Sequence, residues 1–136
     1  MTRKTMFQQW VFGTLTVTAL SGCAPDLVPV PDPRPGHDFC KVVAEGPDKG
    51  KLVVTVKNQG NYKAPASTTT VEFSPGGPSQ LATPPIPVSG TVDLQPLSIP
   101  AECFNADCDF KITVDSGNQI KESNEENNTA NGVCLG

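Results

Sequence analysis

Five cysteines carry the clearest chemistry in this sequence of 136 residues: Cys23, Cys40, Cys103, Cys108 and Cys134. Cys23 closes an apolar N-terminal stretch, whereas the other four are spread over the rest of the chain. Four cysteines in an exported protein are typical of two disulfides, which can pair in three ways. A zinc site made of four thiolates is the alternative, but the sequence lacks the paired Cys-x-x-Cys spacing of such sites. We therefore expect two disulfides and no metal at these cysteines.

The N-terminal segment, residues 1–22, has the pattern of an export signal. Arg3 and Lys4 form a short positive region, and Trp10 to Leu20 is an apolar stretch of eleven residues without charge. A helix that spans a bilayer permanently needs about 20 apolar residues, so this stretch is too short for that role. We predict a signal peptide that is removed before Cys23.

The four residues Leu20-Ser21-Gly22-Cys23 resemble the lipobox of bacterial lipoproteins. In that family the cysteine is acylated and becomes the first residue of the mature protein, so the resemblance implies lipidation of Cys23 and a membrane anchor in the cell envelope. Ala24 follows the cysteine where inner-membrane lipoproteins of Gram-negative bacteria carry Asp. The resemblance therefore implies outer-membrane sorting if the source is Gram-negative. An ordinary disulfide role for Cys23 is the alternative.

The next segment, residues 23–37, is rich in proline, with five prolines between Ala24 and His37. Proline blocks helices and removes ladder hydrogen bonds, so we expect an extended spacer that lifts the domain by up to roughly 40 Å. A proline-rich ligand for a partner is the alternative. His37, the only histidine, ends this spacer and is expected to face solvent.

Charge and composition exclude several function classes. Without Arg3 and Lys4 the mature chain has 10 − 2 = 8 basic and 14 acidic side chains, a net charge of −6. Nucleic acids need a basic face, so they are not expected partners. Catalytic triads need a histidine held by a core, and phosphate-binding glycine loops are absent. We predict a protein that is not an enzyme and needs no cofactor.

The mature chain reads as an all-β domain. Three stretches alternate apolar and polar residues with a period of two: Lys51–Lys57, Ser67–Phe73 and Cys108–Val114. Weaker strand signals cover 39–45, 91–99 and 127–135, and the prolines of 81–90 restrict any strand there to an edge or to a short piece. About seven short strands predict an immunoglobulin-like β-sandwich over residues 38–136.

This fold favours one of the three disulfide pairings. The first and last strands of such sandwiches are neighbours, which favours Cys40 with Cys134. Cys103 and Cys108 are only five positions apart and would close a tight loop.

Three blocks of sequence resemble the CARDB family, the cell-adhesion-related domain found in bacteria: Leu52–Gly60, Asp115–Ile120 and Glu122–Thr129. The first resembles the family's V-x-N-x-G strand end, and the other two resemble its terminal strand-turn-strand signature. The resemblance covers Phe39 to Thr129 and implies an immunoglobulin-like sandwich that acts as an extracellular interaction module. It supplies no active site.

The last two of these blocks, which together form the terminal block over residues 115–129, offer side-chain oxygens of the type that calcium prefers. The candidate ligands are Asp115, Asn118, Glu122 and Glu125. Asx side chains at a turn more often bond their own backbone, so a turn that fixes the last hairpin is the favoured interpretation.

Tyr62 and Phe104 are aromatic residues in expected surface loops and are candidates for a binding surface, with packing over the sandwich ends as the alternative. The sequence thus predicts a lipid-anchored envelope module that binds a protein or a glycan. A calcium-binding domain, or a structural envelope component without a ligand, is the alternative.

Overall fold

The computed structural model describes residues 23–136, so the predicted signal peptide over 1–22 lies outside the described residues. Within the described part, no helix is long and apolar enough to cross a bilayer. Between residues 23 and 136, one short 3-10 helix, Ala101–Cys103, interrupts strands, turns and loops.

In the described part of the chain, seven strands form two antiparallel sheets, as the sequence predicted. The smaller sheet has the order β1-β2-β5, with β1 at Leu27–Val30, β2 at Thr55–Asn58 and β5 at Thr91–Asp93. The larger sheet has the order β4-β3-β6-β7, with bounds as follows: β3 Ser67–Ser74, β4 Gly77–Thr83, β6 Cys108–Thr113 and β7 Thr129–Cys134.

The core lies between the two sheets and uses the alternating residues expected from the sequence. In β6, Cys108, Phe110 and Ile112 are buried while the residues between them face outward. Phe110 lies opposite Phe73 of β3, with ring centroids 6.1 Å apart. The period-two pattern thus identified the buried face of the larger sheet correctly.

The predicted spacer over 23–37 is wrong, because the chain joins the fold immediately after Cys23. Residues 27–30 form β1 and pair antiparallel with β2 in the register Leu27↔Asn58 to Val30↔Thr55. Leu27 is fully buried in the core. The strand tolerates Pro29 because β1 is an edge strand, which needs ladder hydrogen bonds on one side only.

The remainder of the predicted spacer is a closed loop. The Asp32 amide donates to the Asp38 carbonyl at 2.5 Å, and the Arg34 guanidinium binds the Asp32 carboxylate at 2.6 Å. Hydrogen bonds from Arg34 hold the pKa of Asp32 well below its usual range. The domain therefore begins at residue 24 rather than at 38.

The weaker strand signals have mixed outcomes. Residues 39–45 form no regular strand, although Val42 forms an isolated bridge with Leu52. Lys51–Lys57 is regular only from Thr55 onward, although Leu52, Val54 and Val56 are buried as predicted. The proline-rich stretch ends an edge strand, β4, as expected from its composition.

Two disulfides are present, and both have the pairing favoured from the sequence. Cys40 joins Cys134 with Cα atoms 5.3 Å apart, and Cys103 joins Cys108 with Cα atoms 4.9 Å apart. Cys23 is exposed and has a free thiol.

Candidate functional site

The sandwich has two ends of different character. The Cys23 end consists of residues 23–26 together with the loops 58–63, 84–90 and 115–128. The groove end consists of 34–42, 99–107 and 133–136. Strand β7 runs from the first end to the second over six residues, which is roughly 17 Å.

Asn58 organises the Cys23 end. Its side chain is fully buried at the end of β2, where Oδ1 accepts from the Asp26 amide at 3.1 Å and from the Gly60 amide at 3.0 Å. Nδ2 donates to the carbonyls of Tyr62 at 2.8 Å and Ile86 at 3.2 Å. One side chain thus fastens the incoming chain to two loops.

Gly60 and Asn61 complete this attachment. A Cβ on Gly60 would lie 2.4 Å from the Ala24 carbonyl oxygen, so only glycine allows the two backbones to pack this closely. The Asn61 amide donates to the Ala24 carbonyl at 3.2 Å, and the Asn61 side chain accepts from the Ala24 amide at 3.1 Å. The chain is therefore fixed to the domain from the residue after Cys23.

The acidic residues of the terminal block lie at the same end. Asp115 has a positive φ of 49°, and its carboxylate accepts from the amides of Gln119 at 2.9 Å and Ile120 at 3.1 Å. Asn118 is exposed, has a φ of 50° and donates its backbone amide to the Asp115 carbonyl. These bonds have the form of the turn that the sequence favoured.

Glu122 links the terminal block to the start of the domain. It is buried, and its Oε2 accepts from the Leu27 amide at 2.6 Å while Oε1 accepts from Asn128 Nδ2 at 2.5 Å. Burial raises the pKa of Glu122 to about 7, and the charges of Asp115 and Glu125 act in the same direction, against the two hydrogen bonds. This carboxyl therefore titrates near neutral pH.

Three carboxylates converge at this point. Asp115, Glu122 and Glu125 each offer one oxygen, and these oxygens lie within 4.8 Å of one another. Each carboxylate oxygen can accept more than the single hydrogen bond described here, so lone pairs remain for a cation. The Asn128 Oδ1 atom, buried beside Glu122, has no hydrogen-bond partner. Three of the four predicted calcium ligands are brought together, and Asn118 is part of the adjoining turn.

An apolar groove of about 550 Å³ occupies the opposite end. Its lining includes the Cys40–Cys134 disulfide and side chains contributed by several loops: Val42, Ile99, Phe104, Val133 and Leu135. Phe104 is 39% exposed and Leu135 is 75% exposed. Within residues 23–136 the lining contains no Asp, Glu, Lys or Arg. His37 also lines the groove and is exposed.

The two aromatic candidates do not form one surface. Phe104 lies in the groove, whereas Tyr62 follows the Asn58 loop at the Cys23 end and is 52% exposed. The sequence did not identify Val133 or Leu135 as surface residues, because they flank Cys134 in a short apolar run that gives no sign of which side faces solvent. Asn58 stood in the V-x-N-x-G block, but its role in holding residue 26 could not be seen locally.

Comparison with known proteins identifies the family. The CARDB family model matches residues 24–132, which include β1 and confirm that the domain starts directly after Cys23. No curated protein matches the chain.

Two solved structures share the fold. A solution structure of a domain described as part of a cell surface protein from Methanosarcina acetivorans is 20% identical, with a TM-score of 0.63, and covers 82% of this chain and 91% of that one. The CARDB domain of a Pyrococcus furiosus protein, crystallised in complex with di-metal ions, is 19% identical, with a TM-score of 0.51, and covers 82% and 88%. With its family-model match, two-sheet topology and terminal Asp115–Asn128 block, the chain belongs to the CARDB family.

Proposed function

We propose that the protein is an envelope lipoprotein, acylated at Cys23, whose immunoglobulin-like module binds another envelope protein through the groove end. The observation that carries this proposal is the position of the apolar groove at the end of the sandwich opposite Cys23. A lipid at Cys23 would leave that end directed away from the membrane and open to a partner.

Lipidation of Cys23 is supported by its chemistry and its place in the chain. The thiol is exposed and takes no part in either disulfide, so it is available for acylation. Several acyl chains together give a stable anchor, since each buried methylene contributes about 0.8 kcal/mol. In a Gram-negative source, Ala24 favours outer-membrane sorting.

The anchor is tested by metabolic labelling with an alkyne fatty acid. Label should be found in the wild-type protein, and Cys23→Ala should lose the label and leave the membrane fraction while keeping its unfolding temperature. A labelled Cys23→Ala variant, or an unlabelled wild type, would contradict acylation at this residue.

The groove favours a protein partner over a glycan. Its lining is apolar and lacks the carboxylates and amides that bind sugar hydroxyls, whereas apolar pockets with an aromatic residue suit protein side chains. Leu135 is exposed and Phe104 is partly exposed, and because both line the groove they are suited to contact a partner's apolar side chain.

A photoreactive phenylalanine analogue at position 104 tests the partner. In envelopes of the source, it should crosslink to a discrete protein, and Leu135→Asp should abolish this adduct. The same analogue at position 62 is the control and should not give it. An adduct whose added mass is removed by glycosidase, and which yields no peptides other than those of this protein in mass spectrometry, would replace the protein partner by a glycan. The absence of any adduct would favour a structural component.

Divalent-cation binding at Asp115, Glu122 and Glu125 is the second candidate function. It is favoured by the convergence of the three carboxylates and by the di-metal complex of the Pyrococcus furiosus domain. Because Glu122 has a raised pKa, a cation would compete with a proton there.

Calorimetric titration with calcium chloride at pH 7.5 and at pH 5.5 tests this candidate. Heat should be larger at pH 7.5, where Glu122 is ionised, and Asp115→Asn should reduce it. The remote variant Glu72→Gln is the control. If calcium chloride gives no binding heat at pH 7.5, the three carboxylates do not form a calcium site and serve only to stabilise the turn.

A further inference from the structure

We infer that the loops 59–63 and 84–90, which carry Tyr62 and Val88, form a face that contacts the lipid bilayer and sets the orientation of the domain on it. This inference rests on the proposed acylation of Cys23 and names the surface that meets the membrane. It follows from how closely the chain is held at the Cys23 end.

A lipid on Cys23 would be attached directly before the folded domain, which begins at Ala24. Ala24 is bound on both sides by Asn61, and Gly60 packs against the backbone of residues 24–26. Asp26 is in turn fixed by Asn58. An acylated Cys23 at the membrane surface would therefore bring the adjoining loops to the level of the lipid headgroups.

The second loop is fastened to the first. The Ser89 amide donates to the Asn58 carbonyl at 2.9 Å, the Asn58 amide donates to the Gly90 carbonyl at 2.9 Å, and Ala64 forms a bridge with Ile86. Tyr62 and Val88, 52% and 48% exposed, thus project from two joined loops beside Cys23.

The composition of these loops suits a bilayer interface. Residues 59–63 and 84–90 contain no Asp or Glu, and Lys63 is an exposed cation in the first loop. The second loop is apolar apart from Ser89 and carries Pro84, Pro85 and Pro87. Tyrosine and lysine are favoured at the headgroup level, since each combines an apolar body with a polar tip.

The acidic loop, residues 121–128, meets the start of the domain at Pro25 and Leu27. Glu125 and Glu126 are exposed on the terminal block, which meets the chain where the Ser123 amide donates to the Pro25 carbonyl at 3.0 Å. Anionic lipids repel these carboxylates, so the bilayer favours the orientation in which the uncharged and basic loops face it. The acyl chains supply the affinity, and the loops need only to select this orientation.

A single tryptophan placed at either end tests the inference. The only Trp, Trp10, precedes the predicted cleavage site, so the processed protein carries none of its own. Tyr62→Trp and Phe104→Trp would be purified as acylated, processed proteins and reconstituted into vesicles of zwitterionic and anionic lipids with brominated chains. Flotation reports anchoring, and quenching of the indole reports contact with lipid.

The indole at position 62 should be quenched at least twofold more than the one at position 104, with an emission maximum shifted to the blue. Adding Val88→Asp to Tyr62→Trp should reduce the quenching without affecting flotation. Floating protein with an unquenched or equally quenched indole at position 62 would overturn the membrane face while leaving acylation intact. Protein that neither carries acyl chains by mass spectrometry nor floats would overturn the proposed anchor itself.

Discussion

The two ends of the sandwich are held by different forces. At the Cys23 end, buried polar side chains bind backbone groups from several loops, with Asn58 and Glu122 each joining segments far apart in sequence. At the groove end, two disulfides hold the chain and apolar side chains remain exposed. The hydrogen bonds of the Cys23 end fix one arrangement of its loops, and their stability depends on pH through Glu122. The disulfides of the groove end constrain the chain without covering the apolar surface.

Removal of the Cys40–Cys134 disulfide at the groove end should cause the largest loss in the free energy of unfolding. In Cys40→Ala/Cys134→Ala, the lost constraint on a loop of 94 residues should lower the free energy of unfolding by about 4 kcal/mol. Urea denaturation of the purified protein measures this loss.

The short disulfide is the matched control. Cys103→Ala/Cys108→Ala opens a loop with a sequence separation of 5 and should cost about 2 kcal/mol. An equal or larger loss for this second variant would mean that local packing near Phe104, rather than chain closure, governs the groove end.

At the other end, Asn58→Ala should lower the free energy of unfolding by about 3 kcal/mol, because the Asp26 and Gly60 amides and the Tyr62 carbonyl lose the partner that Asn58 provides. Hydrogen exchange at the Asp26 amide should accelerate together with the global loss. Asn131→Ala replaces an exposed asparagine of β7 and should change stability by less than about 0.5 kcal/mol. Unchanged protection of Asp26 in Asn58→Ala would refute the role assigned to this residue.

The pH dependence of the Cys23 end should be smaller and is specific to Glu122. The pKa of Glu122 is raised from 4.5 to about 7 in the folded protein, so between these values the folded state binds the proton and the unfolded state does not. Its contribution to stability is therefore lost as pH rises from 4.5 to 7. Glu122→Gln should flatten this part of the stability curve by on the order of 2 kcal/mol.

Thermal unfolding between pH 4.5 and pH 8 measures the effect as the difference between wild type and variant. This difference separates Glu122 from Asp32, whose lowered pKa acts in the opposite direction and is the same in both proteins. The exposed Glu72→Gln is the control and should leave the curve unchanged. A wild-type curve parallel to that of Glu122→Gln would contradict a buried, titrating carboxyl.

Much of the fold could be predicted from local pattern. The alternation of Ser67–Phe73 and of Cys108–Val114 identified β3 and β6 and their buried faces, because one side of each strand must face the core. The terminal block was sufficient to indicate the family, and the family-model match confirmed it. The turn formed by Asp115 followed from the tendency of Asx side chains to bond nearby amides.

Other features depended on contacts between distant residues. The prolines after Cys23 predict a spacer when read locally, yet β1 forms because an open edge of β2 accepts it and Leu27 fills the core. The Glu122 carboxylate meets the Leu27 amide across 95 positions of sequence, a pairing that no local pattern encodes.

The sequence by itself determined the strands with clear alternation, β3 and β6, their inward faces and the number of cysteines available for disulfides, since these follow from side-chain period and composition. Only the tertiary structure decided that Tyr62 lies beside Cys23 and Phe104 at the opposite end. The physical reason is that strand pairing and chain closure, rather than local preference, bring loops together. Each loop's neighbours are set by the register of both sheets at once.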